Sequence, residues 1–205
     1  PEAGWLSEET TDDPSRLDRR LVWIVDPIDG TRAFMAGSAD WSVAIGLLLD
    51  GEPILGLVHA PAHAARYEAV RGGGATRDGA ALSVSAREGL AGARIAGPVP
   101  LLERLERGGA AIARAPKVPS LALRLVRIAE GALDGGLVST DARDWDIAAA
   151  DLILREAGGE LTRLDGARPR YNARDPVHGE LAAASRGLHP RLLEAMTRAR
   201  AARSR

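Results

Sequence analysis

The sequence predicts an α+β fold in which an antiparallel sheet is followed by an α/β half. Three observations lead there. Short apolar runs punctuated by Asp-Gly and Gly-rich turns fill the first half. Apolar residues recur at helical spacing after Ser120. Strand-like runs then alternate with those helices. Of 205 residues, 45% are hydrophobic and 27% charged, a balance that allows a sizeable buried core.

Residues 1–20 read as polar and turn-rich, with Asp12-Asp13-Pro14-Ser15 as an exposed loop. Leu21-Val22-Trp23-Ile24-Val25 reads as a buried strand. Proline cannot donate to a ladder, so this strand is expected to stop at Asp26-Pro27. Val43 to Leu49, Ile54 to His59 and Arg66 to Val70 follow as strands, with Asp50-Gly51 as a hairpin signal. Gly72-Gly73-Gly74 and Asp78-Gly79 mark further turns. A soft boundary near Gly97-Pro98 divides one compact unit into residues 1–97 and 98–205. Beyond it, Leu121 to Gly131 fits a helix with Ser120 as N-cap and Gly131 past its end. Leu137-Val138 suggests a short strand. Ile147 to Ala157 suggests a second helix, closed by Gly158-Gly159. Glu160 to Leu164 and Leu181 to Ala184 read as strands, and Leu188 to Ala202 as a terminal helix with an Arg-rich, solvated end.

Composition excludes several functions. The net charge of -1 gives no reason to expect a nucleic-acid polymer or an anionic membrane as partner. With no cysteine, disulfides, thiol catalysis and cysteine-ligated zinc are ruled out. No apolar run is long enough to span a bilayer and no signal peptide is visible, so a cytoplasmic location is expected. Pro61 between His59 and His63 argues against a helical zinc pair; solvated hairpin histidines are expected instead. Gly72-Gly73-Gly74 lacks the Lys-Ser/Thr of a phosphate loop.

Three acidic clusters stand out: Ser7-Glu8-Glu9-Thr10, Asp26-Pro27-Ile28-Asp29-Gly30-Thr31 and Asp144-Trp145-Asp146. Each has an ordinary explanation by itself. Asp-Pro and Asp-Gly are common turn dipeptides. Glu8-Glu9 fits a solvated pair, and Asp146 fits a helix N-terminus favoured by the macrodipole. Yet a tight turn after Asp26, permitted by Gly30, can aim two carboxylates and the Ile28 carbonyl at one point. Such oxygen donors suit Mg²⁺. The free N–H groups of a short helix or turn beginning at Gly30 and Thr31 suit a phosphate.

Taken together, these motifs resemble the inositol monophosphatase superfamily. The Asp26–Thr31 hexapeptide, Trp145-Asp146-Ile147-Ala148-Ala149-Ala150, and Glu156-Ala157-Gly158-Gly159 carry the resemblance, with Ser7-Glu8-Glu9 where the family places its first metal-binding glutamate. Order and spacing match over nearly the whole chain. The resemblance implies a layered αβαβα sandwich of the inositol monophosphatase and fructose-1,6-bisphosphatase type. It also implies a metal-dependent phosphoric monoester hydrolase, typically inhibited by lithium. Glu8, Asp26, the Ile28 carbonyl, Asp29 and Asp146 would hold two or three Mg²⁺ ions. Glu8, Thr31 and Asp29 would be the catalytic set, Thr31 and Glu8 orienting and deprotonating the attacking water. The N–H groups of Gly30 and Thr31 would bind phosphate. A homodimer is implied as well. The family's N-terminal helical pair, bearing an Asp that orients the threonine, would lie a few tens of residues before Glu8. The sequence starts at Pro1, so that layer is expected to be incomplete and one face of the first sheet uncovered.

For the substrate, Arg32 after Thr31, the Ser120–Gly131 segment with Arg124, and Pro169-Arg170-Tyr171-Asn172 resemble 3'(2'),5'-bisphosphate nucleotidases. Ser120 and Arg124 are therefore expected substrate contacts, and 3'-phosphoadenosine 5'-phosphate the favoured substrate. Against this, Gly136 to Arg143 replaces the Tyr-Pro-Arg stretch of several nucleotidases. Inositol monophosphate and histidinol phosphate are the alternatives, and a catalytically weak phosphate-binding protein is the competing class.

Overall fold

The computed structural model describes residues 3–201. A seven-stranded sheet contains β1 (Gly4–Ser7), β2 (Leu21–Asp29), β3 (Ser42–Leu49), β4 (Glu52–Ala60), β5 (Ala65–Val70), β6 (Ala75–Arg77) and β7 (Ala80–Ala81), in that order. β1 lies parallel to β2, and the other neighbours are antiparallel. Asp50 (φ 52) and Gly51 (φ 80) close the β3–β4 hairpin with two left-handed residues, as a two-residue turn that matches strand twist requires. Residues 3–20 are more ordered than their polarity suggests. They supply β1 and a 3₁₀ turn at Pro14–Asp18. With Leu6 and Ser7 the only buried residues of β1, that strand is too short to show a period in sequence.

Proline does not end β2. The strand crosses Pro27 and continues to Asp29, because Pro27 falls at a register shift where its missing N–H removes no ladder bond.

The second half contains β8 (Arg94–Ala96), β9 (Ala113–Arg114), β10 (Gly135–Val138), β11 (Ala142–Arg143), β12 (Gly159–Arg163), β13 (Val177–His178) and β14 (Leu181–Ser185). Five of these form a sheet in the order β12-β14-β10-β8-β9, while β11 and β13 pair separately. The helices are α1 (Thr31–Met35), α2 (Val99–Arg107), α3 (Leu121–Ala129), α4 (Asp144–Glu156) and α5 (His189–Ala201). Ala202, the expected end of the last helix, lies outside the described residues. The sequence reading contains no helix at α2, which buries only Leu101, Leu102 and Leu105 between charged residues. Ser120 caps α3 as expected, accepting from the Leu123 N–H at 3.0 Å.

The architecture is α+β. Among the described residues the layers run from the seven-stranded sheet to α3 and α4, then to the five-stranded sheet, then to α2 and α5. The larger core joins the first three layers, from Leu6, Ile24 and Val58 to Leu125, Ile147 and Leu161. The opposite face of the large sheet carries half-buried Trp23, Ile45, Leu47 and Leu57, with Trp5 48% exposed.

Helix α4 lies unusually close to the large sheet. Gly46 and Gly56 are cross-strand partners on β3 and β4. A Cβ on Gly56 would stand 2.4 Å from the Ala149 carbonyl oxygen, and one on Gly46 would stand 3.4 Å from the Ala149 nitrogen. Two glycines facing Ala148-Ala149-Ala150 therefore let helix and sheet backbones nearly touch. This contact sets the depth at which α4 presents its N-terminus.

Candidate active site

The β2 register shift creates the first half of the site. Asp26 pairs with Ala44 and Asp29 with Ser42, so one strand contributes an extra residue between the two pairs. Side chains alternate along a strand, and residues three apart normally face opposite ways. The extra residue returns Asp29 to the side of Asp26. Both are buried, at 1% and 6% exposure. Asp26 Oδ1 accepts from the Ile28 N–H at 2.9 Å, and the Thr31 hydroxyl donates to the Ile28 carbonyl at 3.0 Å. Gly30 turns the chain into α1 at φ 89. A Cβ there would be 3.2 Å from both the Asp40 carbonyl oxygen and Ser120, so conformation and space both require glycine.

Asp29 is gripped from its far side by the start of α3. It accepts from the Ser120 hydroxyl at 2.5 Å, the Leu121 N–H at 3.1 Å and the Ala122 N–H at 2.7 Å. A helix N-terminus favours such a carboxylate. Asp146, in the first turn of α4, accepts from the Arg143 N–H at 2.7 Å. The helix opens at Asp144 with the acidic cluster, three residues before the apolar run that begins at Ile147.

Asp26, Asp29 and Asp146 each bring one carboxylate oxygen within 4.8 Å of the others. The electrostatics show the cost of this convergence. Burial first, then the charges of Asp29 and Glu8, push Asp26 up to about 8. Burial, with Asp29 and Glu8 again contributing, pushes Asp146 up to about 7. Burial also raises Asp29, against the three donors that favour its charge. Three hard oxygen donors that repel one another in a buried site are a fitting set for a divalent cation such as Mg²⁺. Glu8 stands in the exposed turn after β1 and is not one of the three converging groups, though its charge reaches Asp26 and Asp146.

Beside the carboxylates opens a cavity of about 270 Å³, lined by Asp29, Leu121, Arg124, Asp146 and the Val138–Ala142 segment. Two expected substrate contacts behave differently there. Ser120 has no exposed surface, and its hydroxyl is shared among Asp29, Leu123 and, at 2.9 Å, Ser42. It holds Asp29 and does not face the cavity. Arg124 does line the cavity, but its guanidinium donates to the Val118 carbonyl at 3.2 and 2.7 Å and to the Leu137 carbonyl at 3.1 Å. Two other supports for a nucleotide are also engaged elsewhere. Tyr171 is buried with its hydroxyl on Asp151 at 2.7 Å, and the Asn172 N–H donates to Asp144 at 2.7 Å. Arg32 is exposed on α1 and is absent from the cavity wall.

Sequence reasoning missed several participants. Ser139, Thr140 and Asp141 form part of the cavity wall, and Asp141 adopts φ 79. Their signal was the departure of Gly136 to Arg143 from the nucleotidase pattern. Asp144, grouped with Asp146 by sequence, turns away from it. It has no exposed surface and meets His178 Nε2 at 2.7 Å. Glu156, within the motif at the end of α4, accepts from the N–H groups of Gly72 and Gly74, both at 2.9 Å. It anchors the triple-glycine turn. His63 is likewise tied down, 3.2 Å from Asp40. His59 is half-buried, with its Nδ1 buried and unpartnered.

A layered α+β sandwich with converging aspartates between sheet and helix is the frame of a metal-dependent phosphatase. The chain belongs to the inositol monophosphatase family, which it matches over residues 1–201. Family members are magnesium-dependent phosphatases. The chain is 32% identical over 195 residues to the inositol-1-monophosphatase of Mesorhizobium japonicum, covering 91% of this chain and 71% of that protein. It is 38% identical over 201 residues to the histidinol-phosphatase of Mycobacterium tuberculosis, covering 92% and 73%. The 3'(2'),5'-bisphosphate nucleotidase CysQ of Aggregatibacter actinomycetemcomitans is 30% identical over 194 residues, covering 85% and 68%. Among solved structures, inositol monophosphatase-II of Staphylococcus aureus superposes with a TM-score of 0.83 at 26% identity, covering 100% of this chain and 81% of that one. No helix among the described residues is long and apolar enough to cross a membrane.

Proposed function

We propose that this chain hydrolyses the phosphate monoester of a small hydroxylated or amine-bearing metabolite, with Mg²⁺ held by Asp26, Asp29, Asp146, Glu8 and the Ile28 carbonyl. The observation that carries the reading is the convergence of three buried carboxylates whose charges need a cation. When bound, Mg²⁺ supplies charge neutralisation and lowers the pKa of water. The rest is the work of the chain. Thr31, hydrogen-bonded to Ile28 at the start of α1, orients the attacking water, and Glu8 takes its proton. The N–H groups of Gly30 and Thr31 receive the phosphate oxygens. The carboxylates are held by backbone and hydroxyl donors before substrate arrives, so little reorganisation remains at the moment of reaction.

The choice of substrate follows from the cavity wall. A second phosphate needs a cation with free donors. Arg124, the one cation among the described residues lining the cavity, gives its recorded hydrogen bonds to main-chain carbonyls. Asp141 stands on the same wall, the one recorded hydrogen bond to its carboxylate coming from the Thr140 hydroxyl at 3.5 Å. A carboxylate beside Ser139 and Thr140 favours hydroxyl or ammonium groups and opposes a second anion. Phosphate release with Mg²⁺ from inositol 1-phosphate, histidinol phosphate and 3'-phosphoadenosine 5'-phosphate tests this. One of the first two should exceed the nucleotide by roughly tenfold or more in kcat/KM, the discrimination expected from about 1.4 kcal/mol. A preference for the nucleotide would restore the bisphosphate reading. No release from any substrate, with phosphate still bound, would favour a catalytically weak phosphate-binding protein.

A further inference from the structure

Glu8 is carried by an exposed turn, whereas Asp146 opens a helix packed into the core, and something must fix the distance between them. We infer that Arg16 is the positioning residue that does so, acting through Asn172 and Asp144; this rests on the reading of Glu8 and Asp146 as ligands of one metal site. Arg16 is 1% exposed, although it lies in a polar segment. Its Nε and Nη2 donate to the two carboxylate oxygens of Asp12 at 2.6 and 2.9 Å, so it grips the chain four residues beyond Glu8. Its Nη1 donates to Asn172 Oδ1 at 2.6 Å, and its Nη2 also donates to the Ala173 carbonyl at 3.0 Å. Asn172 returns a bond from Nδ2 to the Arg16 carbonyl at 3.3 Å.

From Asn172 the connection runs directly to α4. The Asn172 N–H donates to Asp144 Oδ2 at 2.7 Å, and His178 Nε2 lies 2.7 Å from Asp144 Oδ1. The Asp144 N–H donates to the Pro176 carbonyl at 3.0 Å. Asp144 is thus fixed on three sides, and Asp146 follows two residues later in the same helical turn. The other end is seated as closely. A Cβ on Gly4 would come within 2.9 Å of the Arg16 Cβ, so the 3₁₀ turn rests directly on β1, whose next turn bears Glu8.

Apolar packing cannot replace this link. From Glu8 to Ser15 every residue is exposed; the Trp5 Nε1–H bond to the Thr10 hydroxyl at 3.1 Å ties the Glu8 turn back to β1, and the Arg16 bonds tie the segment to residues 172 and 173. The planar guanidinium holds a carboxylate and two carbonyl oxygens at once, a task a lysine ammonium performs less rigidly. Groups that hold metal ligands in place typically change affinity by about 10–100-fold when removed.

Asn172→Gly is the informative variant. Asn172 has φ 59, a conformation glycine adopts freely, and the backbone N–H to Asp144 survives while both side-chain bonds to Arg16 are lost, leaving only the Ala173 carbonyl to hold the guanidinium on this side. Mn²⁺ binding is measured by titration calorimetry on wild type, Asn172→Gly, Glu8→Gln and the double variant, alongside melting temperature and KM at saturating Mg²⁺. The expected result is about tenfold weaker Mn²⁺ binding in Asn172→Gly, with KM at saturating Mg²⁺ changed less than twofold. In the Glu8→Gln background the same substitution should change binding less than twofold, since the two act through one ligand. Unchanged Mn²⁺ affinity with a lowered melting temperature would overturn the inference and leave Arg16 a stabilising residue only. Additive effects in the double variant would overturn it too. If wild type itself bound no Mn²⁺, the metal-site reading would fall first, and that failure would be visible before any variant is compared.

Discussion

Strand β2 and helix α4 deliver carboxylates to the same point by different means. β2 does it locally. Within six residues an extra strand residue, an Asp26–Ile28 hydrogen bond and a left-handed glycine aim Asp26, Asp29 and Thr31. α4 does it at a distance. Its N-terminus is set by residues 172–178, by Arg16 and by the close approach of Ala149 to Gly46 and Gly56. The first arrangement needs only its own residues in order. The second depends on partners far along the chain, so it can be weakened without touching a ligand.

The sharpest way to break the comparison is to make one isosteric change at three places. Asp26→Asn and Asp146→Asn each remove a charge the cation requires, and several kcal/mol of transition-state stabilisation correspond to a loss of roughly a hundredfold or more in kcat/KM. Neither should lower the melting temperature of metal-free protein, because each relieves repulsion in the cluster. Asp144→Asn should do the opposite. It weakens the buried hydrogen bonds of a group with no exposed surface, at a cost of about 1–3 kcal/mol, or several degrees of melting. Calorimetric melting and steady-state kinetics on the three variants separate the roles; near-normal turnover in Asp146→Asn would remove that residue from the site.

The same division explains what could be read from sequence. The turning glycine at Gly30, the Asp50-Gly51 hairpin and the Ser120 cap follow from local backbone chemistry, and each is found where expected. The continuation of β2 through Pro27 was hidden because a strand bulge depends on its partner strand. Asp144 and Asp146 are indistinguishable in sequence. Burial against His178 and Asn172 sends one inward, and the first turn of α4 sends the other to the site. Arg16 looked like one of many surface arginines, since nothing in its neighbourhood announces Asn172, 156 residues later. Arg124 is the converse case: a cation on the cavity wall, as expected, with three of its hydrogen bonds given to main-chain carbonyls that sequence could not reveal.

A smaller effect sharpens the local half. Ser120→Ala removes the cap of α3 and one donor to Asp29. The cap contributes about 0.5–2 kcal/mol, so melting should fall by a few degrees. The looser Asp29 should raise the Mg²⁺ concentration for half-maximal rate by about tenfold. KM for substrate at saturating Mg²⁺ should stay within twofold of wild type. A selective rise in that KM, with Mg²⁺ dependence unchanged, would return Ser120 to the role of substrate contact.

The change that needs no substitution is a pH dependence of metal-free stability, and its sign follows from the raised carboxylates. Asp26 and Asp146 start from 3.8 in the unfolded chain and reach about 8 and about 7 when folded. Between those limits the folded state binds more protons than the unfolded state, so stability falls as pH rises. The stabilising contribution of protonation is complete near pH 4 and lost above about 8. His189 acts in the other direction. Burial lowers its pKa below 6.5, so it adds stability as pH rises toward 6.5 and little beyond. The interval from pH 6.5 to 8.5 therefore isolates the carboxylates. Across it, metal-free wild type should lose about 2–3 kcal/mol, or roughly 4–12 °C of melting temperature. Saturating Mg²⁺ should flatten the profile, because the cation takes the place of the protons. Asp26→Asn should leave about a third of this loss without metal. A wild-type profile that is already flat in the absence of metal would mean that neither burial nor mutual repulsion raises these carboxylates, and the case for a cation between β2 and α4 would lose its electrostatic support.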